Sequence, residues 1–519
     1  MNTSMKKLAM GLFAGTLLMP LSSWGAEQDL QQKIDSLSKQ VDELKQQVDQ
    51  TKKKSLGQWL TIGGDYRFRY DYLQGDAVAY TQINPFFNPS QPVSATNPMA
   101  FAMPAQKFEN SSLYTNRFGL DLKAKATENV SVTARLLMYK VSGAQDDAAL
   151  RMTSIDPATG QVSQNAFFAD RAGVFDGTLG HVPTDNKLLV DRVYATWNNI
   201  AEQPIWFSIG RRPSTGGIPS HLKQDKAAPG NSGVPALLVD YAFDGATLGY
   251  APDIDALPGA YAKLCYGIGF ENGLTNDSGN GLRDTHMIGV NIVPYDTDPF
   301  RAEFQWNRGV NIFDSPQILS GPGAALNSRP RAEVGDIDWY GLDFIGKLKN
   351  VGIGSLNWFV DAGLSVSHPN GKVNGLGQGL MFNAGQAVDD RTGWAVYVGG
   401  RYDIEPTATK IGFEYNHGSR DWITFSPAAD DMWTSKVGTR GNVYEGYIIQ
   451  ELKLKPISSY LSKTFFKVGY QYYDFDYTGS NNWMGGAVRL ADLSNPANAQ
   501  FFTPLKNAQD VYATFEVHF

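Results

Sequence analysis

The side chains best equipped for covalent or metal chemistry are few and widely separated in this sequence. Cys265 is the only cysteine, which excludes disulfide scaffolds, cysteine-rich zinc sites and iron–sulfur clusters, because each gathers several thiolates in one place. The six histidines, His181, His221, His286, His368, His417 and His518, never recur at the one-turn spacing that lets a helix hold a metal. No Gly-x-Ser-x-Gly elbow presents a nucleophile, and no Cys-x-x-Cys-His attaches haem. The acidic pairs Asp146-Asp147, Asp389-Asp390 and Asp430-Asp431 match no EF-hand spacing and read as solvated loop charge. These residues predict no enzyme, no metal centre and no cofactor.

What remains is charge set at alternate positions. From Leu60 to Tyr72 one parity carries Leu60, Ile62, Tyr66, Phe68, Tyr70 and Tyr72, and the other carries Asp65, Arg67, Arg69 and Asp71. The same alternation returns around 116–124, 357–367, 394–403 and 410–416. It is cleanest in Val511, Ala513, Phe515, Val517 and Phe519 against Asp510, Tyr512, Thr514, Glu516 and His518. A period of two with one greasy, aromatic face and one charged face describes a strand standing between lipid and water. The charged parity collects the candidate pore-lining residues Arg67, Arg69, Arg117, Arg135, Arg211, Arg401 and Glu414. Among them Arg67, Arg69 and Arg117 form a candidate basic wall, and Asp225 in the third long loop is the candidate opposite charge. Mixed rings of this kind set a transverse field and a weak ion preference; the same side chains would serve equally to hydrate and cross-link the wall.

Several features position these strands. Residues 1–26 have a basic start, a short apolar run and small residues before Ala26, the pattern of a secretory signal peptide. Residues 27–56 hold a heptad, with Ile34, Val41 and Val48 at one seam position and Leu30, Leu37 and Leu44 at the other, which predicts a short α-helical coiled coil that self-associates. Beyond it, 57–519 contains no run apolar and long enough for a spanning helix. Mean hydropathy is −0.29, beside 24 Tyr, 28 Phe, 11 Trp and 53 Gly, a composition suited to strands and turns. The net charge of −7, from 45 basic and 52 acidic residues, comes without a basic patch and places nucleic acid outside the expected partners.

Connections give a second signal. Short turns near 126–129, 200–203, 252–258, 295–299, 349–354, 404–408 and 456–462 alternate with long loops near 73–110, 141–186, 213–243, 272–283, 311–334, 369–391, 419–436 and 478–507. Outer-membrane barrels have short periplasmic turns and long external loops. The reading is an all-β, transmembrane antiparallel β-barrel of about 16 strands, with 14 to 18 as the range. The range is set by 236–251, where Phe243-Asp244-Gly245 also reads as a hairpin turn. A barrel of this size leaves a water-filled lumen.

The heptad prefix, the first strand Gly64–Tyr70, the strand end Gly210-Arg211-Arg212-Pro213, the segment Gly412–Ser419 and the terminal Phe519 together resemble the porins of Gram-negative outer membranes. They more closely resemble a largely uncharacterised family that carries a coiled-coil prefix on a porin barrel. The resemblance implies passive diffusion of small hydrophilic solutes or ions across the bacterial outer membrane, and a homo-oligomer, with a trimer favoured and a dimer compatible with the heptad. It implies that the barrel-assembly machinery reads Phe519, and that the third external loop, 213–243, is the one able to fold into the pore. Peptidoglycan is a further partner within reach of the coiled coil. Two other functions fit a barrel: a sheath around a multihaem electron-transfer partner, and a non-conducting adhesion barrel.

Overall fold

A strand with one lipid-compatible face has no partner for its edge in a bilayer, so its stable solution is a closed ring. The computed structural model shows that ring. It describes residues 59–84, 90–94, 99–142, 154–155, 162–163, 186–214, 221–225, 237–274, 282–314, 332–374, 377–426, 430–454, 463–500 and 502–519. The signal peptide and the coiled coil of the sequence reading lie outside the described residues; no helix among the described residues is long and apolar enough to cross a membrane.

Sixteen strands form the barrel: β1 (Leu60–Ala77), β2 (Gln106–Lys125), β3 (Val130–Val141), β4 (Leu189–Trp197), β5 (Ile205–Pro213), β6 (Ala242–Tyr250), β7 (Tyr261–Phe270), β8 (Thr285–Asp296), β9 (Arg301–Phe313), β10 (Glu333–Val351), β11 (Gly354–Pro369), β12 (Arg391–Ile404), β13 (Thr409–Gly418), β14 (Gly441–Glu451), β15 (Lys463–Phe475) and β16 (Leu505–His518). Each pairs antiparallel with its chain neighbours, and β1 closes on β16 with Arg67 opposite Glu516 and Tyr66 opposite Val517. The closure continues past the last strand residue: Gly64 N–H donates to the Phe519 carbonyl at 2.9 Å, and Phe519 N–H donates back at 3.0 Å.

The two faces separate as the alternation demands. Ile209, Leu264, Phe413 and Val468 face outward, about half exposed, while Arg69, Asp361, Gln471 and Asp510 on the inner face are fully covered. With an apolar outer belt and no open edge, the molecule is an outer-membrane β-barrel.

The segment 236–251 holds one strand. Phe243, Asp244 and Gly245 lie inside β6, paired to Arg212, Arg211 and Gly210. Leu237, Leu238 and Val239 are buried loop residues. They belong to the third external loop, between β5 and β6, whose described residues 221–225 and 237–241 enter the barrel, and they meet the seventh, between β13 and β14: Phe425 N–H donates to the Leu238 carbonyl at 3.0 Å, and Asp240 N–H to the Phe425 carbonyl at 2.8 Å. Trp422, Phe425 and Trp483 of the seventh and eighth loops pack with Trp339 of β10 in one apolar cluster inside the ring. Each indole satisfies its N–H on a carbonyl, Trp339 on Ile423 and Trp422 on Val437, both at 2.8 Å.

Candidate functional site

The alternation aims charged wall residues at the lumen, and the inward loops meet them there. Arg67 and Arg69 of β1 are 1% and 0% exposed, so the open, watery lumen of the sequence reading does not extend to them. The physical reason is that loops long enough to reach the interior bring their own ions. Arg67 donates to the Tyr139 hydroxyl at 2.7 Å and pairs with Asp430 of the seventh loop at 2.6 Å. Arg69 is held by Asp71 at 2.5 Å and Asp510 at 2.9 Å, with its guanidinium over the Tyr512 ring. Arg117 pairs with Asp65 at 3.2 Å and reaches Asp430 at 3.6 Å. Arg67 and Arg117 thus meet at Asp430, the carboxylate that the seventh loop brings to them, while Arg69 is paired within the wall itself by Asp71 and Asp510. The pair Asp430-Asp431 is buried, correcting its reading as solvated charge. Burial pushes the Asp430 carboxyl up, but Arg67, Arg117, Arg69 and Lys223 override it and hold it well below the usual carboxylate range.

A second group adjoins the first on the same side of the ring, where Glu445 accepts from the Tyr512 hydroxyl at 2.7 Å. Glu414 and Glu445 stand directly opposite one another on β13 and β14, an arrangement that repels unless a cation intervenes. Lys436 of the seventh loop supplies it, bonded to Glu414 and 2.6 Å from Glu445, while Lys223 of the third loop lies 2.5 Å from the other Glu445 oxygen. Burial pulls the Lys436 ammonium down, and Glu414 and Glu445 raise it well above its ordinary value. Tyr397 donates its hydroxyl to Glu414 at 2.5 Å.

Asp225 marks how far the third loop travels. It joins Arg401 at 3.2 Å, Lys410, and Lys463 at 3.5 Å. Lys410 and Lys463 stand at the periplasmic starts of β13 and β15. Asp225 takes a left-handed backbone, φ 54°. Burial and a hydrogen bond with Glu451 raise its carboxyl, against the lowering by Lys410 and Lys463.

Arg135 bonds Asp121 at 2.6 Å and also Asp65, and its guanidinium lies over Gly119, where a Cβ would stand 2.3 Å from it and oblige the side chain to shift. Arg211 is placed apart from the others. It shares the outward parity of Ile209, 53% exposed, and pairs with Asp244 at 2.8 Å, whereas Arg212 turns inward and bonds Thr247. The run Gly-Arg-Arg-Pro has no apolar residue to mark the lipid side, and Gly210 sits at φ 125°, so parity is ambiguous there from sequence. Glu445 was legible, since Tyr444 and Ile448 mark the outer face around it. Lys223, Lys436 and Asp430 carry no periodic signal because they come from loops.

Arg440, at the foot of the seventh loop, is fully buried and donates to the carbonyls of Trp422 at 2.9 Å, Thr478 at 3.1 Å and Asn482 at 3.0 Å. Burial lowers its pKa to about 10. Among the described residues no group of three or more His, Cys, Asp or Glu side chains is placed to hold a metal.

No curated protein sequence matches the chain. Among solved structures it is similar to the outer membrane channel DcaP of Acinetobacter baumannii, at 13% identity and TM-score 0.38 over 89% of this chain and 97% of that one. It is also similar to an anion-selective porin from Comamonas acidovorans, at 10% identity and TM-score 0.39 over 89% and 99%, and to OprB of Pseudomonas putida, at 9% identity and TM-score 0.39 over 90% and 96%. A family model matches residues 107–519, from β2 to the final residue, and the chain belongs to the family that it describes, Protein of unknown function (DUF3373).

Proposed function

We propose that the protein is a porin that lets small hydrophilic solutes or ions cross the outer membrane by passive diffusion through a lumen narrowed by its own loops. The observation that carries this is the division of one closed ring into an apolar outer face and a charged inner face, since a lumen-facing surface of mixed charge suits the passage of hydrated solutes and offers nothing to lipid. In this reading Arg67, Arg69, Arg117, Arg135, Arg401 and Glu414 line or brace the passage with Asp225, and no step is enzymatic. Phe519 serves as the residue by which the assembly machinery recognises the last strand. The N-terminal heptad supports a homo-oligomer, a trimer by analogy with general porins, or reaches towards peptidoglycan. The inward loops weigh against a sheath, because a second folded protein would need the space they occupy.

The test is single-channel conductance of the purified, refolded protein in planar bilayers. Discrete ohmic steps support the reading, and a folded barrel that stays silent at all potentials overturns it. Reversal potentials in a salt gradient for the Arg67→Ala/Arg69→Ala variant then test the basic wall, whose removal shifts selectivity towards cations.

A further inference from the structure

Most acids on the inner wall are answered by a cation, and one pair is not. Asp343 of β10 and Asp361 of β11 stand directly opposite one another. Both are 0% exposed, and none of their four carboxylate oxygens has a hydrogen-bond partner among the described residues. Glu303 of β9 faces Asp343 from one side, and Tyr397 of β12 faces Asp361 from the other. The neighbouring charges are engaged elsewhere. Arg301, whose charge acts on Asp343, bonds Glu303 and the Tyr261 hydroxyl, each at 2.8 Å. Tyr397 donates to Glu414, whose charge acts on Asp361, and Lys436 of the seventh loop lies between Glu414 and Glu445.

An ionised carboxylate only accepts hydrogen bonds, whereas a protonated one also donates. Two carboxylates side by side away from water therefore cannot both be ionised without repulsion, and one proton between them turns the clash into a hydrogen bond. What lies next to the pair gives this proton a consequence. Two positions along the same inner face are Gly341 and Gly363, again directly opposite. A Cβ at Gly363 would stand 2.8 Å from the Trp422 ring and 3.0 Å from the Leu238 side chain, so the glycine is the seat on which the third and seventh loops rest. Leu237, Leu238 and Trp422 belong to one buried apolar cluster with Phe359, the inner-face neighbour of Asp361 on its other side. With the proton in place the seat borders a single negative charge; without it, two such charges lie beside apolar side chains, where charge is costly.

We infer that Asp343 and Asp361 hold one proton between them and form a pH-sensitive latch, which keeps the third and seventh loops seated on the wall and releases them when the proton is lost to water. The stabilisation is complete at low pH and is lost as pH rises through the release of that proton. The groups that face the pair are Glu303 and Arg301 of β9, Tyr397 of β12, Glu414 of β13 and, beyond Glu414, Lys436 of the seventh loop; Leu237, Leu238 and Trp422 present only apolar surface. The inference deepens the porin reading by naming what regulates the passage, and only its consequence for permeation rests on that reading.

The experiment is hydrogen exchange with infrared spectroscopy on the refolded full-length protein in detergent, from mildly acidic to alkaline pH. Exchange at 237–240 and 419–424, corrected for intrinsic rates, is expected to speed by about tenfold or more as pH rises, in step with the loss of a carboxylic-acid carbonyl band. Asp361→Asn gives Asp343 a permanent amide donor and one charge at every pH; it lacks that band and keeps slow exchange throughout. Asp225→Asn, which acts at 221–225, leaves both responses in place. A parent protein whose acid band or loop exchange does not change with pH overturns the inference, and this arm needs no variant to fold. An equal response in Asp361→Asn, or its loss in Asp225→Asn, overturns it too. Because neither readout is conductance, a silent channel whose loops release with pH sinks the diffusion reading alone, and a conducting channel whose loops do not respond sinks the latch alone.

Discussion

Asp430 Oδ2 lies 2.6 Å from Arg67 Nη1, an ion pair in which both side chains are less than a tenth exposed and which ties an external loop to the first strand of the wall. Removing one partner leaves a buried charge uncompensated, which typically costs about 3–5 kcal/mol. Asp430→Ala is expected to destabilise the seventh loop by that order and to raise single-channel conductance. The Asp430 carboxyl titrates well below its ordinary value, so the stability it confers is present above the unfolded pKa of about 3.9 and is lost only as pH falls through the folded one. The difference between parent and variant should therefore be the same at pH 7 and pH 5; a difference that fades between them contradicts this assignment.

Asp225 behaves in the opposite sense. Its carboxyl is raised, so the contribution of its proton is complete below the unfolded pKa and is lost as pH rises through the folded one. The groups facing it are Arg401, Lys410, Lys463 and Glu451. Mild acidification is expected to tighten the third loop against β13 and β15. Hydrogen exchange of 221–225, corrected for intrinsic rates, should slow on acidification, and Asp225→Asn, which mimics the protonated carboxyl, should remove the dependence.

Arg440 holds carbonyls from the seventh and eighth loops with one guanidinium. Arg440→Met fills the volume but strands those acceptors, at about 1–3 kcal/mol for each one left buried. Trypsin should then cut within 419–440 and 476–504 at least several-fold faster, with the strands still protected. An unchanged digestion pattern would show that the aromatic packing alone retains the loops.

Val468 and Lys467 are neighbours on β15 with opposite fates: Val468 is 55% exposed on the outer face, and Lys467 is buried inside, bonded to Glu516 at 2.8 Å. Val468→Arg puts a charge into lipid and is expected to cost about 2–4 kcal/mol if the position lies near the bilayer midplane, read by urea unfolding in vesicles. Val468→Leu should be nearly silent.

That pair also shows what could be read from the chain. Wherever apolar and charged residues alternate, as at Phe413 and Glu414 or Val511 and Asp510, the inner and outer faces follow from a period of two, and the short turns fix the strand count. The reading loses its grip where the period stops. Leu237, Leu238 and Val239 look like a strand because burial selects apolar residues whatever covers them, and here the cover is Trp422 and Phe425 of another loop. The depth reached by Asp225, the burial of Asp430 and the cation between Glu414 and Glu445 depend on how loops fold inside a ring. That is set by contacts across hundreds of residues and leaves no local pattern.

The mutual hydrogen bonds of Gly64 and Phe519, and the bond from Arg69 to Asp510 across 441 positions, bear on how the wall is made. Until the last strand docks, the first and fifteenth strands each present a row of unpaired amides and carbonyls. Such edges invite promiscuous pairing with other chains, and a contact between opposite ends of so long a polymer is slow to find by chance. The growing sheet is thus a sticky, unfinished object for most of its assembly, and a chaperone that shields its two margins would be needed until the final turn of the cylinder snaps shut.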